Sequence, residues 1–237
     1  MKKNSFKIHK EDFLIFRDST DEIWIITQKI QKLLRGKKIK KFLDVGVGSG
    51  ELTSLLTSKL GVKDVVAIDK KNYVDKNKKF IFFQTDWLNF CYPAKFDLIV
   101  SSHSISYLAG DDIKKSIKKI RGFLKKAGVA ILIIYDNSAS ATWTKFKKIF
   151  YPSDAISTIN YIKPAISRYK FKEDNFTTRV YADNLEHMLK IGRFLAEKHL
   201  PSYLKSKNKI KQFFKKYRKT NGKIILPLKH KMYILSK

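Results

Sequence analysis

Residues 41–61 read KFLDVGVGSGELTSLLTSKLG. A short apolar run ends at Asp44 and Val45, three glycines follow at alternate positions, and a helical apolar pattern runs from Leu52 to Leu60. Glycines between a strand end and a helix start permit a tight turn and close approach of backbone to a ligand. The stretch is therefore a strand–turn–helix unit, and the flanking sequence repeats its rhythm. DVVAID (64–69) predicts a second strand, KFIFFQTD (79–86) a third and FDLIVSSHS (96–104) a fourth. DDIKKSIKKIRGFLKKAG (111–128) predicts an amphipathic helix carrying Ile113, Ile117, Ile120, Phe123 and Leu124, closed by Gly128. VAILIIYD (129–136) predicts a fifth strand. Strands alternating with helices imply a parallel sheet covered on both faces.

Upstream, residues 11–35 carry Ile23, Ile26, Ile30, Leu33 and Leu34 at helical spacing, with Ser19 or Thr20 as a cap. Beyond Asp136 the rhythm breaks. Residues 139–172 read as helical and irregular, with Pro152 and Pro164 as breakers. NFTTRVYAD (175–183) predicts a sixth strand, a basic helical stretch comes next, and KMYILSK (231–237) predicts a closing strand. In KSKNKIKQFFKKYRKTNGK (205–223), Ile210, Phe213, Phe214 and Tyr217 fall at helical spacing and predict an amphipathic surface helix.

The turn also indicates its ligand. A second strand ending in Asp69 suits a bidentate hydrogen bond to the two ribose hydroxyls of an adenosine. A dinucleotide would rest its pyrophosphate on the helix N-terminus, where anions are favoured. Here Asp44 ends the strand and Glu51 opens the helix. Two carboxylates beside the turn repel a pyrophosphate but suit S-adenosylmethionine, a phosphate-free compound with an ammonium and a sulfonium. Gly46, Gly48 and Gly50 would line that ligand. Asp86 could accept from the adenine amine and Trp87 could cover the ring; a loop aspartate beside a core tryptophan is the alternative. Ser101 through Tyr107 come after the fourth strand, where ligands of open sheets sit beyond the strand ends. Within that run His103 and Tyr107 are candidates to take or relay a proton, although a lone histidine is more often structural. Trp143 and its aromatic neighbours Phe146, Phe150, Tyr151 and Tyr161 read either as the wall of an acceptor cavity or as ordinary core.

Composition sets further bounds. The chain has 237 residues, 43% hydrophobic, and a net charge of +29. That length fits one domain with a core, an N-terminal helical segment over 1–40, a cofactor-binding part over 41–136 and a substrate cap with C-terminal strands over 137–237. The charge raises nucleic acid as a partner, but only seven of the 50 cations are arginine, the better reader of phosphates and bases. A lysine-biased solvated surface is the competing account. Cys91 is the single cysteine, so no internal disulfide forms. The five histidines are dispersed along the chain, and no metal is expected. MKKNSFKIHKEDF has no apolar run behind it, and no segment reaches the roughly 18 apolar residues of a membrane span. A cytoplasmic protein with no membrane partner is expected.

FLDVGVGSGELTSLL, with Asp69, Asp86 and FDLIVSSHS, resembles the class I S-adenosylmethionine-dependent methyltransferases. FLIFRDSTDEIW (13–24), HSISYL (103–108), ILIIYDNSASATWTKFKKIF (131–150) and NGKIILPLKHKMYILSK (221–237) resemble histamine N-methyltransferase and its relatives. The resemblance implies an α/β, Rossmann-like, doubly wound and mostly parallel seven-stranded sheet, with an antiparallel last strand and a helical cap. It implies S-adenosyl-L-methionine as donor, S-adenosyl-L-homocysteine as product, and a small-molecule acceptor, an amine. Asp21 matches the acid that contacts the substrate amine, and Ile105 a residue lining the adenosine. Ser106 stands where the relatives have a substrate-binding glutamine and Leu228 near their asparagine, which puts histamine itself in doubt. An RNA methyltransferase and a non-catalytic S-adenosylmethionine-binding protein are the other readings.

Overall fold

The computed structural model describes residues 10–74, 79–108, 110–151, 158–196 and 199–237; Pro152 lies outside them. Seven strands form one sheet: β1 (Lys41–Val45), β2 (Asp64–Asp69), β3 (Ile81–Gln84), β4 (Phe96–Ser102), β5 (Leu124–Tyr135), β6 (Phe171–Ala182) and β7 (Ile224–Ser236). Their spatial order is β3-β2-β1-β4-β5-β7-β6. β1 to β5 pair in parallel, and β7 runs antiparallel to β5, with Val129 opposite Ser236 and Tyr135 opposite His230. The expected doubly wound sheet with an antiparallel last strand is present. The order reverses beside β1 and β4, which opens a crevice beyond their carboxyl ends.

The residues gather into two compact units. The larger comprises Ile23–Tyr135, Thr158–Phe176 and His230–Lys237. Its strands alternate their side chains between two buried clusters, as the period-two geometry of a strand requires. Leu43, Ile99, Ala130 and Leu132 face one side with Ile113, Ile117 and Ile120 of α4 (Asp111–Phe123) and Ile162 and Ile166 of α6 (Thr158–Ile166). Phe42, Leu98, Val100 and Ile131 face the other with Ile26 and Ile30 of α2 (Glu22–Leu33) and Leu52 and Leu56 of α3 (Glu51–Leu60).

Two element boundaries differ from the sequence reading. The helix expected to close at Gly128 ends at Phe123, and β5 begins at Leu124. Gly128 instead serves an irregularity: the β4–β5 register shifts between Phe96 and Leu98, and a Cβ on Gly128 would lie 2.9 Å from the Phe96 carbonyl oxygen. Glycine is used because two backbones approach closely there. Pro164 sits inside α6 rather than breaking it.

The second unit comprises Met1–Glu22, Asp136–Ser157 and Thr177–Lys229. Here the single helix expected over 11–35 is interrupted. α1 (Lys10–Asp18) stops because residues 19–21 pair with β6: Tyr181 N–H donates to the Ser19 carbonyl at 2.7 Å, Asp21 N–H to the Arg179 carbonyl at 3.2 Å, and Thr20 bridges Val180. The Thr20 hydroxyl accepts from the Glu22 amide at 3.2 Å, so it caps the start of α2. α5 (Thr142–Phe150), α7 (Leu185–Ala196), α8 (Leu200–Lys205) and α9 (Lys207–Lys215) complete this unit. Phe146 and Phe150 are core: Phe146 lies within 5.7 Å of the Phe213 and 5.2 Å of the Phe214 ring. Among the described residues no helix is long and apolar enough to cross a membrane.

Asp97 fastens the amino end of the sheet. Its Oδ2 accepts from the amides of Lys40 and Lys41 at 3.0 and 2.8 Å and from Lys125 Nζ at 2.9 Å. Burial opposes its ionisation, but the Lys125 ammonium and the two amides outweigh that and hold the carboxyl below its usual range. A depressed folded-state pKa contributes stability that is complete above the unfolded value near 4 and disappears as pH falls through the folded value. Asp97→Asn is expected to cost about 1–3 kcal/mol at pH 7, a drop of several degrees in melting temperature. In thermal melts between neutral pH and about pH 3, its gap to the wild type should narrow. A gap independent of pH would rule out ionic fastening.

Candidate active site

The turn between β1 and α3 is held open by backbone geometry. Gly46, Gly48 and Gly50 have φ of 83°, 56° and 78°, the left-handed region that glycine enters without steric cost. Gly46 and Val47 N–H both donate to the Ile68 carbonyl, at 2.8 and 3.0 Å, which ties the turn to the end of β2. Asp69 stands at that end. Its Oδ2 accepts from Gly48 N–H at 3.0 Å and its Oδ1 from Lys71 N–H at 2.9 Å. Each oxygen keeps acceptor capacity for a ligand hydroxyl. Asp44 is 2% exposed and accepts from the Thr53 hydroxyl of α3, so β1 and the helix are linked through a buried carboxylate. Glu51 occupies the first turn of α3.

Asp86, just past β3, accepts from the Leu88 amide at 2.8 Å and meets Lys70 Nζ at 2.6 Å. The Lys70 ammonium holds its carboxyl below the ordinary carboxylate range. Trp87 is buried; its indole N–H donates to the Ser116 hydroxyl at 2.7 Å and its ring packs near Phe90 and Phe123.

The segment after β4 closes over the same crevice. Ser101 is fully buried, with Oγ 2.7 Å from Ser104 Oγ, and Ser104 Oγ donates to the Val45 carbonyl. A Cβ on Gly46 would lie 2.1 Å from Ser104 Cβ. Ser104 was not singled out by sequence reasoning, although the polar run 101–107 was. It and Gly46 are interlocked across 58 residues, a pairing that leaves no local signal in the sequence. Ile105 is 2% exposed in the short turn Ile105–Tyr107, where the Ser106 hydroxyl donates to the His103 carbonyl and Tyr107 is 68% exposed.

His103 has φ 60°, the one non-glycine in the left-handed region among the described residues. That conformation costs roughly 1–2 kcal/mol, and strain of this kind gathers at functional sites. Its N–H donates to the Ile133 carbonyl at 2.8 Å; its ring stacks on Tyr135 at 4.1 Å and meets the His230 ring at 5.2 Å. Two of the five histidines, far apart in sequence, are thus neighbours in the fold.

Asp21 and Trp143 belong to the second unit. Asp21 Oδ1 accepts from Arg179 N–H at 2.7 Å and Oδ2 from the Tyr181 hydroxyl at 3.0 Å, so it pins the chain to β6. Trp143 lies on α5 with Lys147 Nζ 5.4 Å from its ring centre. Leu228 is buried in β7.

A family model described as a methyltransferase domain matches residues 21–191. The chain belongs to that methyltransferase family. No curated protein matches its sequence. Among solved structures, the methyltransferase is similar to the YcgJ protein of Bacillus subtilis, at 13% identity and TM-score 0.60 over 89% of this chain and 97% of that one. It is similar to the N-methyltransferase NodS of Bradyrhizobium japonicum, solved with S-adenosyl-L-homocysteine, at 12% identity and TM-score 0.51 over 89% and 84%. It is also similar to the plantazolicin methyltransferase BpumL, solved with a desmethyl-plantazolicin analogue and S-adenosyl-L-homocysteine, at 14% identity and TM-score 0.55 over 91% and 85%. At these identities the likeness is one of fold.

Proposed function

We propose that this methyltransferase takes S-adenosyl-L-methionine at the Gly46–Gly50 turn and methylates a small-molecule amine, releasing S-adenosyl-L-homocysteine. One observation carries the donor assignment: three left-handed glycines bounded by Asp44 and Glu51, with the Asp69 carboxylate at the Gly48 amide. Two carboxylates beside the helix start fit a cationic adenosine compound and disfavour a pyrophosphate. NodS and BpumL, of the same fold, were both solved with the demethylated product.

When bound, the donor supplies an already activated methyl group: nitrogen forms the new bond to carbon as the carbon–sulfur bond breaks, and the sulfonium becomes a thioether. The chain's residues supply alignment and a dry pocket. Asp69 receives the ribose hydroxyls. Asp86 receives the adenine amine, with the Lys70 ammonium beside it. Ile105 lines the adenosine, with Trp87 packed in the core beside Asp86. Asp44 and Glu51 balance the donor's positive charge. Ser101 and Ser104 fix the loop that carries the acceptor side. There His103 and Tyr107 orient an amine and pass on the proton it must lose, through water. The amine itself is supported by the resemblance of residues 13–24 and 131–150 to an amine methyltransferase, in which Asp21 matches the amine-contacting acid.

Calorimetry with S-adenosylmethionine, S-adenosylhomocysteine and NAD tests the donor site. Binding of the first two without NAD is expected; NAD uptake alone would overturn it. Turnover with labelled donor over a panel of biogenic amines tests the acceptor, and label on thiols or hydroxyls but on no amine would remove the second half of the reading.

A further inference from the structure

The acids of this protein are unevenly distributed along the chain. After Glu197 the sequence holds thirteen lysines or arginines and no acid. Five of them lie in α8 and α9, which pack on α5 within the second unit. α5, α8 and α9 together contain no Asp or Glu. Their aromatic side chains pack inside, where Phe146 meets Tyr203, Phe213 and Phe214, while Leu204 of α8 is exposed. Outward, Lys205, Lys207, Lys209, Lys215 and Lys216 are exposed and Lys211 is half-buried.

Some lysines elsewhere have acidic partners: Lys114 and Lys115 pair with Asp111 and Asp112, Lys29 with Asp174, Lys190 with Glu186. Among the described residues, none of the six lysines above takes part in an ion pair. The sequence of α9 also works against its own helix. Lys207, Lys211 and Lys215 repeat at four-residue spacing, a like-charge arrangement that destabilises a helix. Lys207 and Lys209 stand in its first turn, where the macrodipole disfavours cations. Local rules broken without local compensation are expected at functional or strained sites.

We propose that the α8–α9 face docks the phosphate backbone of a nucleic acid, whatever the methyl acceptor. Lysines act as point charges for phosphate, and the scarcity of arginine on this face leaves little means of reading base edges. Binding is therefore electrostatic and tolerant of sequence. A bilayer fits less well. A helix that lies on a membrane needs a free apolar face, whereas Ile210, Phe213 and Phe214 of α9 and Tyr203 of α8 are buried in the fold.

The test is fluorescence anisotropy of the full chain with a labelled oligouridylate of about 20 nucleotides, titrated between about 50 and 300 mM salt. Four lysines that neutralise phosphates contribute about 0.7 each to the single-strand salt slope. K207Q/K209Q/K211Q/K215Q should therefore flatten the slope by about 3 and weaken binding at low salt by on the order of tenfold or more. A control at ion-paired positions, K29Q/K114Q/K115Q/K190Q, should change it by less than about 1. The α9 variant should melt no lower than the wild type, because like-charge neighbours are removed. Equal losses in both variants would show diffuse charge and overturn the assignment to this face. So would absence of binding in the wild type, or tight binding to phosphatidylserine vesicles that the oligonucleotide does not displace.

Discussion

Gly46→Ala should abolish detectable donor binding and lower the melting temperature by about 10 °C. Two costs combine. Alanine at φ 83° pays roughly 1–2 kcal/mol for the left-handed region. Its Cβ would also lie 2.1 Å from Ser104 Cβ and 2.8 Å from Ser104 Oγ, distances that force something to move. Ser104 has little room to yield, because its hydroxyl is held by the Val45 carbonyl and by Ser101. The displacement would fall on the turn itself, whose amides at 46 and 47 hang from the Ile68 carbonyl. A second substitution tests the collision. Gly46→Ala with Ser104→Gly removes the collision, leaves the φ penalty and gives up the two hydrogen bonds of the Ser104 hydroxyl, so it should recover part of the lost melting temperature. Differential scanning calorimetry reads the stability and isothermal titration with S-adenosylhomocysteine reads the site. Wild-type affinity in the single variant would mean that the turn does not approach its ligand as described.

The same pair of residues marks the reach of sequence reasoning. The glycines, Asp44, Asp69 and the strand–helix alternation were legible because each is a local signal: a spacing, a strand end, a period of two or 3.6. The sheet with its antiparallel last strand followed from them and from the resemblance. What escaped depends on contacts between distant segments. Ser104 matters because it lies across from Gly46, a relation 58 residues long that no window contains. Gly128 resembled a helix stop because a glycine after lysines usually is one, yet it is the Phe96 carbonyl that requires it. The break at Thr20 comes from β6, about 160 residues away. His230 gave no signal in a run of alternating apolar residues, and only the β5–β7 register sets it opposite Tyr135 and near His103.

Asp69→Ala should weaken donor and product binding by on the order of 10²–10⁴-fold while leaving the core intact. In the proposed site each of two ribose hydroxyls donates to one carboxylate oxygen, and a hydrogen bond to a charged acceptor contributes about 1.5–3 kcal/mol. The carboxylate also receives the Gly48 and Lys71 amides, so its removal loosens the turn and adds to the loss. Asp69→Asn distinguishes these contributions. An asparagine keeps one carbonyl oxygen for one amide but offers an NH₂ where the second acceptor was. It should hold the turn partly and still lose on the order of tenfold or more in affinity, since a ribose hydroxyl then faces a neutral group. Changes in melting temperature should stay within a few degrees for both variants, because Asp69 lies at a strand end rather than in either buried cluster. Titration with S-adenosylhomocysteine and with adenosine alone completes the argument: if Asp69 serves the ribose, both ligands lose affinity by the same factor. If only S-adenosylhomocysteine weakens, the carboxylate answers to the amino-acid end of the ligand, and the orientation proposed for the donor is reversed.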